Sequence, residues 1–255
     1  MKTIILDIET APSLGYIWGF WNQNIHDGMI LDYGGYIMSC SIKELGATEV
    51  IYLENRTTDD TEIVADICSY LDECEFVIAH NGRRFDIPFI KARAVINHIP
   101  PPSPFKVIDT LSIAKKEMKF KRNSLDFLAK ALDVELRKMT DRKFPGFKLW
   151  WECLHDNDEA WIEMKAYNIM DVEVLEQVYL RLRPWASNHP TINTDSISLK
   201  QACPKCGSFH IIRSGYYYTT KGKYQRYKCM ECTTWSSDSK ALNTTDHRKT
   251  LLASR

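Results

Sequence analysis

Asp7 and Glu9 stand two residues apart at the end of an apolar run, Ile4-Ile5-Leu6, with Ile8 between them. Side chains on a strand alternate between its faces, so residues i and i+2 project the same way. A buried strand with two acids on one face holds like charges close together. They repel unless a proton or a cation compensates, and a metal site is the economical arrangement. Two further segments place acids where such a site needs them: Asn81-Gly82-Arg83-Arg84-Phe85-Asp86 and Tyr167-Asn168-Ile169-Met170-Asp171. Asp86 follows the strand-like run Phe76-Val77-Ile78-Ala79 and lies two residues before Pro88, which suits a first helical turn. It reads as a helix cap and equally as a ligand at a strand-to-helix turn, and the roles are compatible. Tyr167 and Asp171 are four apart and share a helix face. Singly, each motif also fits a solvated acid; in this order, four carboxylates could converge.

The elements that would carry them follow from periodicity. Residues 3–8, about 34–42 and 48–53 read as strands, then a helix from about 59 to 73, the strand 76–80 and a helix from 87. A strand near 105–109 precedes a helix around Ser124, Leu125, Leu128 and Leu132. Asp156 with Glu159 resembles a capping box opening a long helix that Pro184 ends. Strands alternating with helices predict α/β layers with a mixed sheet. Phe85 is expected to pack in the core, Asn81 to stabilise a turn, and His80 to be a satisfied buried histidine.

The motifs Asp7-Ile8-Glu9-Thr10, Ala79-His80-Asn81-Gly82-x-x-Phe85-Asp86-Ile87-Pro88 and Tyr167-x-x-x-Asp171-Val172 occur in that order. They resemble the DEDDy branch of the DnaQ-like 3′-5′ exonucleases, within the ribonuclease H-like superfamily. Val107-Ile108-Asp109-Thr110-Leu111 is similar to another stretch common in these enzymes. The resemblance covers residues 1 to 183 and is nearest to the stand-alone exonucleases of bacteria and their phages, with no polymerase domain expected to follow. It implies a ribonuclease H-like mixed sheet flanked by helices and two Mg²⁺ or Mn²⁺ ions. By the same resemblance Asp7, Glu9 and Asp171 would hold the ion that activates water, Asp7 and Asp86 would share in placing the second, and Tyr167 would orient the water. Oxygen-only ligands fit such hard cations.

Substrate contacts are less sharply specified. Arg83 and Arg84 suit phosphate or solvent. Trp18, Phe20 and Trp21, soon after the first acids, suit base stacking and equally core or loop-anchor packing. Five basic residues and one acid between Lys115 and Arg122 form either a phosphate-facing edge or a solvated face.

Cys203-Pro204-Lys205-Cys206 and Cys229-Met230-Glu231-Cys232 are two Cys-x-x-Cys knuckles separated by 22 residues. Each knuckle offers two thiolates from one tight turn, and a hairpin between them would complete a tetrahedral zinc site. Disulfides are the competing reading, which a reducing cytosol disfavours. Cys40, Cys68, Cys74 and Cys153 lack ligand spacing. With Cys-Pro-x-Cys-Gly-Ser, Gly215-Tyr216 and Trp235, the module resembles the zinc ribbons of transposases and other DNA-handling proteins, which also bind proteins. Lys221, Lys223, Arg226 and Lys228, interleaved with tyrosines, could meet phosphates and stack bases.

The chain has 255 residues, 44% hydrophobic and 26% charged, ordinary for a globular protein with one substantial domain and a small module. Its net charge is zero but unevenly divided, −7 over residues 1–194 and +7 over residues 195–255. The basic part could attract a polyanion by itself. The expected organisation is a nuclease domain at 1–183, a linker at 184–200 rich in turn formers, a four-cysteine ribbon at 201–236 and a polar tail at 237–255. Without a signal sequence or an apolar span of membrane length, the expected location is cytoplasmic, in a bacterium or a phage-infected host. Nucleic acid is the expected partner, DNA ahead of RNA, with a protein partner for the ribbon as an alternative. A structure-selective endonuclease and an adaptor with a vestigial site are the rival functions.

Overall fold

The computed structural model describes residues 1–19, 21–22, 24–134, 142–192 and 200–252. Phe20 and residues 193–199 of the expected linker lie outside these. The chain divides into two compact units, Lys2–Tyr179, and Leu180–Arg255 together with Met1.

The larger unit is a mixed α/β layer structure. Its strands are β1 (Thr3–Thr10), the short pair β2 (Leu14–Gly15) and β3 (Ile30–Asp32), β4 (Ile37–Glu44), β5 (Val50–Glu54), β6 (Phe76–Ala79) and β7 (Lys106–Asp109). Five of them form one sheet in the order β5-β4-β1-β6-β7. β4 runs antiparallel to β1 and β5, whereas β6 runs parallel to β1 and β7. The helices are α1 (Thr61–Asp72), α2 (Asp86–Ile96), α3 (Thr110–Glu117), α4 (Leu125–Ala131), α5 (Lys148–Leu154) and α6 (Asp158–Leu182). The expected fold class holds. α3 and α5 were not foreseen, because each is only about two turns long.

Alternation along β1 turns every second residue toward one of two cores. Ile4, Leu6 and Ile8 pack with Ile63, Ile67 and Leu71 of α1 and Ile87 and Ile90 of α2. On the other side Met38, Leu149, Cys153, Trp161 and Met164 form a second cluster with Phe144. A buried ion pair fixes the first layer: Arg93 of α2 donates through Nε and Nη2 to Asp60 (2.7 and 2.8 Å), which also accepts from Ile37 N at the start of β4. Burial works against ionisation of Asp60, but Arg93 and Asn97 outweigh it and hold the carboxyl below its usual range.

Two local expectations fail for physical reasons. The long helix starts later than a capping box at Asp156 would require, since Asp156 sits at φ 57° and Asn157 Oδ1 accepts from Glu159 N (3.1 Å). Phe85 is 42% exposed and leans on Phe89, because it precedes the first residue of α2 and faces outward there.

The smaller unit continues from α6 through a 3-10 turn at Arg183–Trp185, which contains Pro184. Its sheet is antiparallel, β8 (Ile211–Tyr218), β9 (Lys223–Cys229) and β10 (Trp235–Ser237) in the order β10-β9-β8. Lys205 Nζ donates to Pro184 O (2.8 Å) and Ile192 N to Pro204 O (2.9 Å), so part of the expected linker is tied to the first knuckle. The tail carries a short helix, α7 (Thr245–Thr250), capped by Thr244, whose hydroxyl accepts from His247 N (3.2 Å). Among the described residues no helix is long and apolar enough to cross a membrane.

Candidate nuclease site and four-cysteine centre

β1 delivers the first two acids. Asp7 pairs with Ser41 of β4 and Glu9 with Ser39, and the ladder shifts register between Glu9 and Thr10, ending the regular strand at the site. α6 delivers the third. Oxygen atoms of Asp7, Glu9 and Asp171 all lie within 4.8 Å of one another. Asp171 is buried and the other two are partly accessible. Three carboxylates at this separation, on rigid elements and with partial access, are a donor set for a hard divalent cation. Without one, their mutual repulsion opposes simultaneous ionisation.

Tyr167, one turn before Asp171, joins the same group. Its hydroxyl hydrogen-bonds to the Asp171 side chain; burial first, then the charges of Asp171, Glu9 and Asp7, push its pKa well above the ordinary phenol value. The phenol therefore stays protonated at neutral pH. Its ring is gripped on two sides, edge-on by Trp150 (5.9 Å, 74°) and by the Arg142 guanidinium 4.4 Å from the ring centroid. Glu163 holds that segment, accepting from Lys143 N (3.0 Å) and Arg142 Nε (3.3 Å).

Asp86 is the first residue of α2, not its cap, and it lies outside the three-carboxylate group. It is buried, and its Oδ1 accepts from Ile8 N (3.3 Å), between the two strand acids. Burial, reinforced by the charge of Asp109, pushes its carboxyl up to about 6. Cys40, opposite Ile8 on β4, has its thiol raised by burial and then by the charges of both Asp7 and Asp86.

The turn before Asp86 is determined by close packing. Asn81 takes a left-handed conformation (φ 70°), and a Cβ on Gly82 would come within 2.3 Å of Ala79 Cβ, so only glycine fits. Asp109 secures the turn, accepting from Asn81 N (3.3 Å) and Arg83 N (3.1 Å) while capping α3 through Ser112 N (2.9 Å). His80 bridges Thr110 Oγ1 and Asn123 O, each at 2.9 Å, as a satisfied structural group.

Asn168 is a further member of the group around Asp7. It is fully buried, its Nδ2 donates to Asp7 Oδ2 (2.8 Å), and its Oδ1 accepts from Ser39 Oγ (3.3 Å). It thus joins β4, β1 and α6 at the carboxylate that must be aimed. Its place between Tyr167 and Asp171 was the available clue.

The expected substrate residues separate. Arg83 Nη2 donates to Val107 O (2.7 Å), whereas Arg84 lines a cleft of about 380 Å³ with Lys115 and Lys116 of α3. Trp18 and Trp21 are 96% and 87% exposed on the excursion after β1, which removes core packing as their role.

In the smaller unit Cys203, Cys206, Cys229 and Cys232 place their Sγ atoms within 4.8 Å of one another. The pairs Cys203–Cys232 and Cys206–Cys229 stand 3.5 and 3.6 Å apart. A disulfide needs about 2.05 Å; tetrahedral coordination with Zn–S of about 2.3 Å gives sulfur separations near 3.8 Å. The geometry is compatible with a zinc ribbon. Burial opposes ionisation of Cys232, but bonds with Thr234 and the neighbouring thiols bring it down to about 7.

The four basic residues expected to touch substrate do not share one surface. Alternation on β9 puts Lys223 on the Cys229 side, with its Nζ 3.9 Å from the Tyr216 ring centroid. Arg226 and Lys228 fall on the other side, over Trp235. Lys221 lies in the hairpin turn, where its carbonyl accepts from Asn243 Nδ2 (2.8 Å).

Residues 34–183 match the RNase H superfamily. The chain belongs to that superfamily. The match includes Asp86, Tyr167 and Asp171 and begins after Asp7 and Glu9. Among solved structures, the chain is similar to the family B DNA polymerase from the hyperthermophilic archaeon Pyrobaculum calidifontis, with a TM-score of 0.51 and 12% identity. The alignment covers 72% of this chain and 25% of the polymerase chain, so this chain spans about a quarter of that protein. At such identity the likeness is one of fold. No curated protein sequence matches the chain. Membership of that superfamily supports a nuclease fold, and the convergent carboxylates are a donor set suited to a divalent cation.

Proposed function

We propose that this chain is a two-metal 3′-5′ exonuclease of the DEDDy kind, acting on nucleic acid, DNA in the first place, with a zinc ribbon that helps to hold the substrate. The observation that carries the reading is the convergence of Asp7, Glu9 and Asp171, with the Tyr167 hydroxyl against Asp171. Two Mg²⁺ or Mn²⁺ ions, when bound, supply the charge that activates water and offsets the charge on the departing 3′ oxygen.

The residues divide the remaining work. Asp7, Glu9 and Asp171 hold one ion, and Asp7 with Asp86 helps to hold the other. Tyr167, kept protonated by its surroundings, orients the attacking water with a hydroxyl that does not ionise. Asn168 fixes the Asp7 carboxylate, which would serve both ions. Arg84, Lys115 and Lys116 line a cleft suited to phosphate, and Trp18 and Trp21, exposed outside the core, are placed to meet a terminal base. In this reading residues 1–183 form the exonuclease domain, 184–200 the linker, 201–236 the ribbon and 237–255 the tail. A reducing bacterial or phage-infected cytoplasm suits a four-thiolate zinc site.

The test is the polarity of digestion. A 5′-labelled oligonucleotide should give a ladder and a 3′-labelled one should release labelled mononucleotide first, with Mg²⁺ or Mn²⁺ required. A blocked 3′ end should slow the reaction. Efficient cutting of closed circles would replace the exonuclease with a structure-selective endonuclease, and absence of any hydrolysis would leave an adaptor.

A further inference from the structure

The smaller unit carries two unlike faces on one three-stranded sheet. Cross-strand partners share a face. Tyr217 pairs with Tyr224, Ile212 with Lys228, Lys228 with Trp235 and Arg226 with Ser237, which groups these residues on the side away from the cysteines. Tyr227 and Cys229 lie on the opposite side, with Tyr216, Tyr218 and Lys223. That opposite side also carries the Asp238 carboxylate, which accepts from the Tyr227 hydroxyl (3.2 Å) and would repel phosphate. The strand residues of the Trp235 side include two cations and no acid.

The Trp235 side is also prepared structurally. A bulge in β8 between Arg213 and Tyr216 turns the Ser214 carbonyl toward Arg226, whose Nε donates to it at 2.8 Å. Gly215 at the bulge (φ 69°) makes room, since a Cβ there would stand 3.2 Å from Arg226 Nη2. The guanidinium so held lies 4.6 Å from the Trp235 ring centroid, with Lys228 Nζ at 5.8 Å. Trp235 is nevertheless 49% exposed and Tyr217 51%. An exposed indole with Arg226 held over it and Lys228 near it offers a stacking surface and a phosphate contact within one nucleotide's span.

We infer that this face, centred on Trp235, Arg226 and Lys228 and extended by Tyr217 and Tyr224, is a stacking platform for single-stranded nucleic acid. The inference rests on the reading that the ribbon engages nucleic acid and adds which face does so and which strand form it takes. A duplex keeps its base faces buried in the stack, so an indole platform discriminates against it. The unit's basic surplus is the matching charge for a phosphate backbone.

The experiment measures binding of the full-length chain, in an Asp171→Asn background that suppresses hydrolysis, to a fluorescent single-stranded oligonucleotide and to a blunt hairpin duplex. Trp235→Ala should weaken single-strand binding roughly ten-fold while leaving duplex binding within about two-fold, and Trp235→Phe should recover most of the loss. Arg226→Gln should lower the slope of log affinity against log salt by roughly 0.7. Zinc content, measured alongside, should stay at one ion per chain in all variants. Single-strand binding indifferent to Trp235 overturns the inference and leaves the face to an acidic protein surface. Equal losses on strand and duplex overturn it as well, as does a Tyr216→Leu variant that loses as much as Trp235→Ala. A chain that binds no strand at all sinks the broader reading of the ribbon together with this one.

Discussion

Asp7, Glu9 and Asp171 converge on a scaffold whose own cores are complete without them, whereas Cys203, Cys206, Cys229 and Cys232 are much of what their unit buries. Around the acids, a five-stranded sheet is packed by Ile, Val and Leu side chains from α1, α2 and β1. Around the thiols, the buried cluster is Cys203, Cys229 and Cys232, with Cys206 and Ile211 against it. A small unit with so little apolar burial needs another source of folding free energy, and a structural metal is the usual one. On the proposed reading the two centres would use metal differently. In one the fold exists first and places the ligands; in the other the ligands hold the fold.

Metal removal breaks this comparison most directly. Zinc should be present at one ion per chain, and stripping it, or replacing Cys206 or Cys229 by Ser, should unfold the smaller unit. Structural zinc in small modules contributes about 10–16 kcal/mol of apparent binding free energy, far more than such a core supplies. The larger unit should keep its own cooperative melting transition. A single transition that shifts as a whole on zinc removal would show that the units do not fold independently.

Neutralising the acids should have the opposite profile. Asp7→Asn or Asp171→Asn should abolish hydrolysis and leave the melting temperature in the absence of metal equal or higher, because it relieves repulsion among like charges. Activity like that of the wild type in either purified variant would refute the assignment. Asp86 adds a pH signature. Its folded pKa of about 6 lies above the ordinary carboxylate value, so the folded state binds that proton more tightly than the unfolded chain. Its contribution is favourable below about 4 and is lost as pH rises through 6. Added Mg²⁺ compensates the ionised form and should raise the melting temperature more at pH 7.5 than at pH 4.5.

The difference between the centres also explains what could be read from sequence. The four cysteines form a local pattern with fixed spacing, and the hairpin between them is the simplest chain path that closes it. Asp7 and Glu9 were legible because period-two alternation is local, and Tyr167 with Asp171 because helical spacing is. Their mutual approach across some 160 residues was legible only through the resemblance. Asn168 was not, since a buried amide bonded to a distant carboxylate leaves no periodic trace. The same holds for Asp60 and Arg93, whose pairing depends on how α1 and α2 pack. Arg226 and Lys223 looked alike as basic residues; the strand's alternation separates them.

Finer substitutions sharpen the account of the acid centre. Tyr167→Phe removes the hydroxyl and leaves all four carboxylates, so the rate should fall by roughly 10²-fold without loss of metal affinity. Asn168→Leu should act less directly: with its aim relaxed, Asp7 should hold Mn²⁺ more weakly, and excess Mn²⁺ should restore much of the rate. A loss that extra Mn²⁺ does not rescue would make Asn168 a packing residue only.

The smallest expected effect concerns how the two units cooperate on substrate. A chain ending near Ser187 lacks the four cysteines and the Trp235 face but retains Asp7, Glu9, Asp86, Asp171 and Tyr167. At saturating substrate its turnover should match the full chain, because the chemistry depends on residues that remain. At low substrate it should be slower, through weaker binding. Each lost phosphate contact lowers the slope of log affinity against log salt by roughly 0.7 on a single strand, so losing Arg226 and Lys228 alone should lower it by about 1.4. Titrations at several salt concentrations separate this from a general loss of affinity, which would displace the line without changing its slope. An unchanged slope together with unchanged affinity would mean that the smaller unit docks a protein, and a pull-down from lysate with the full chain against the truncated one would then identify what it holds.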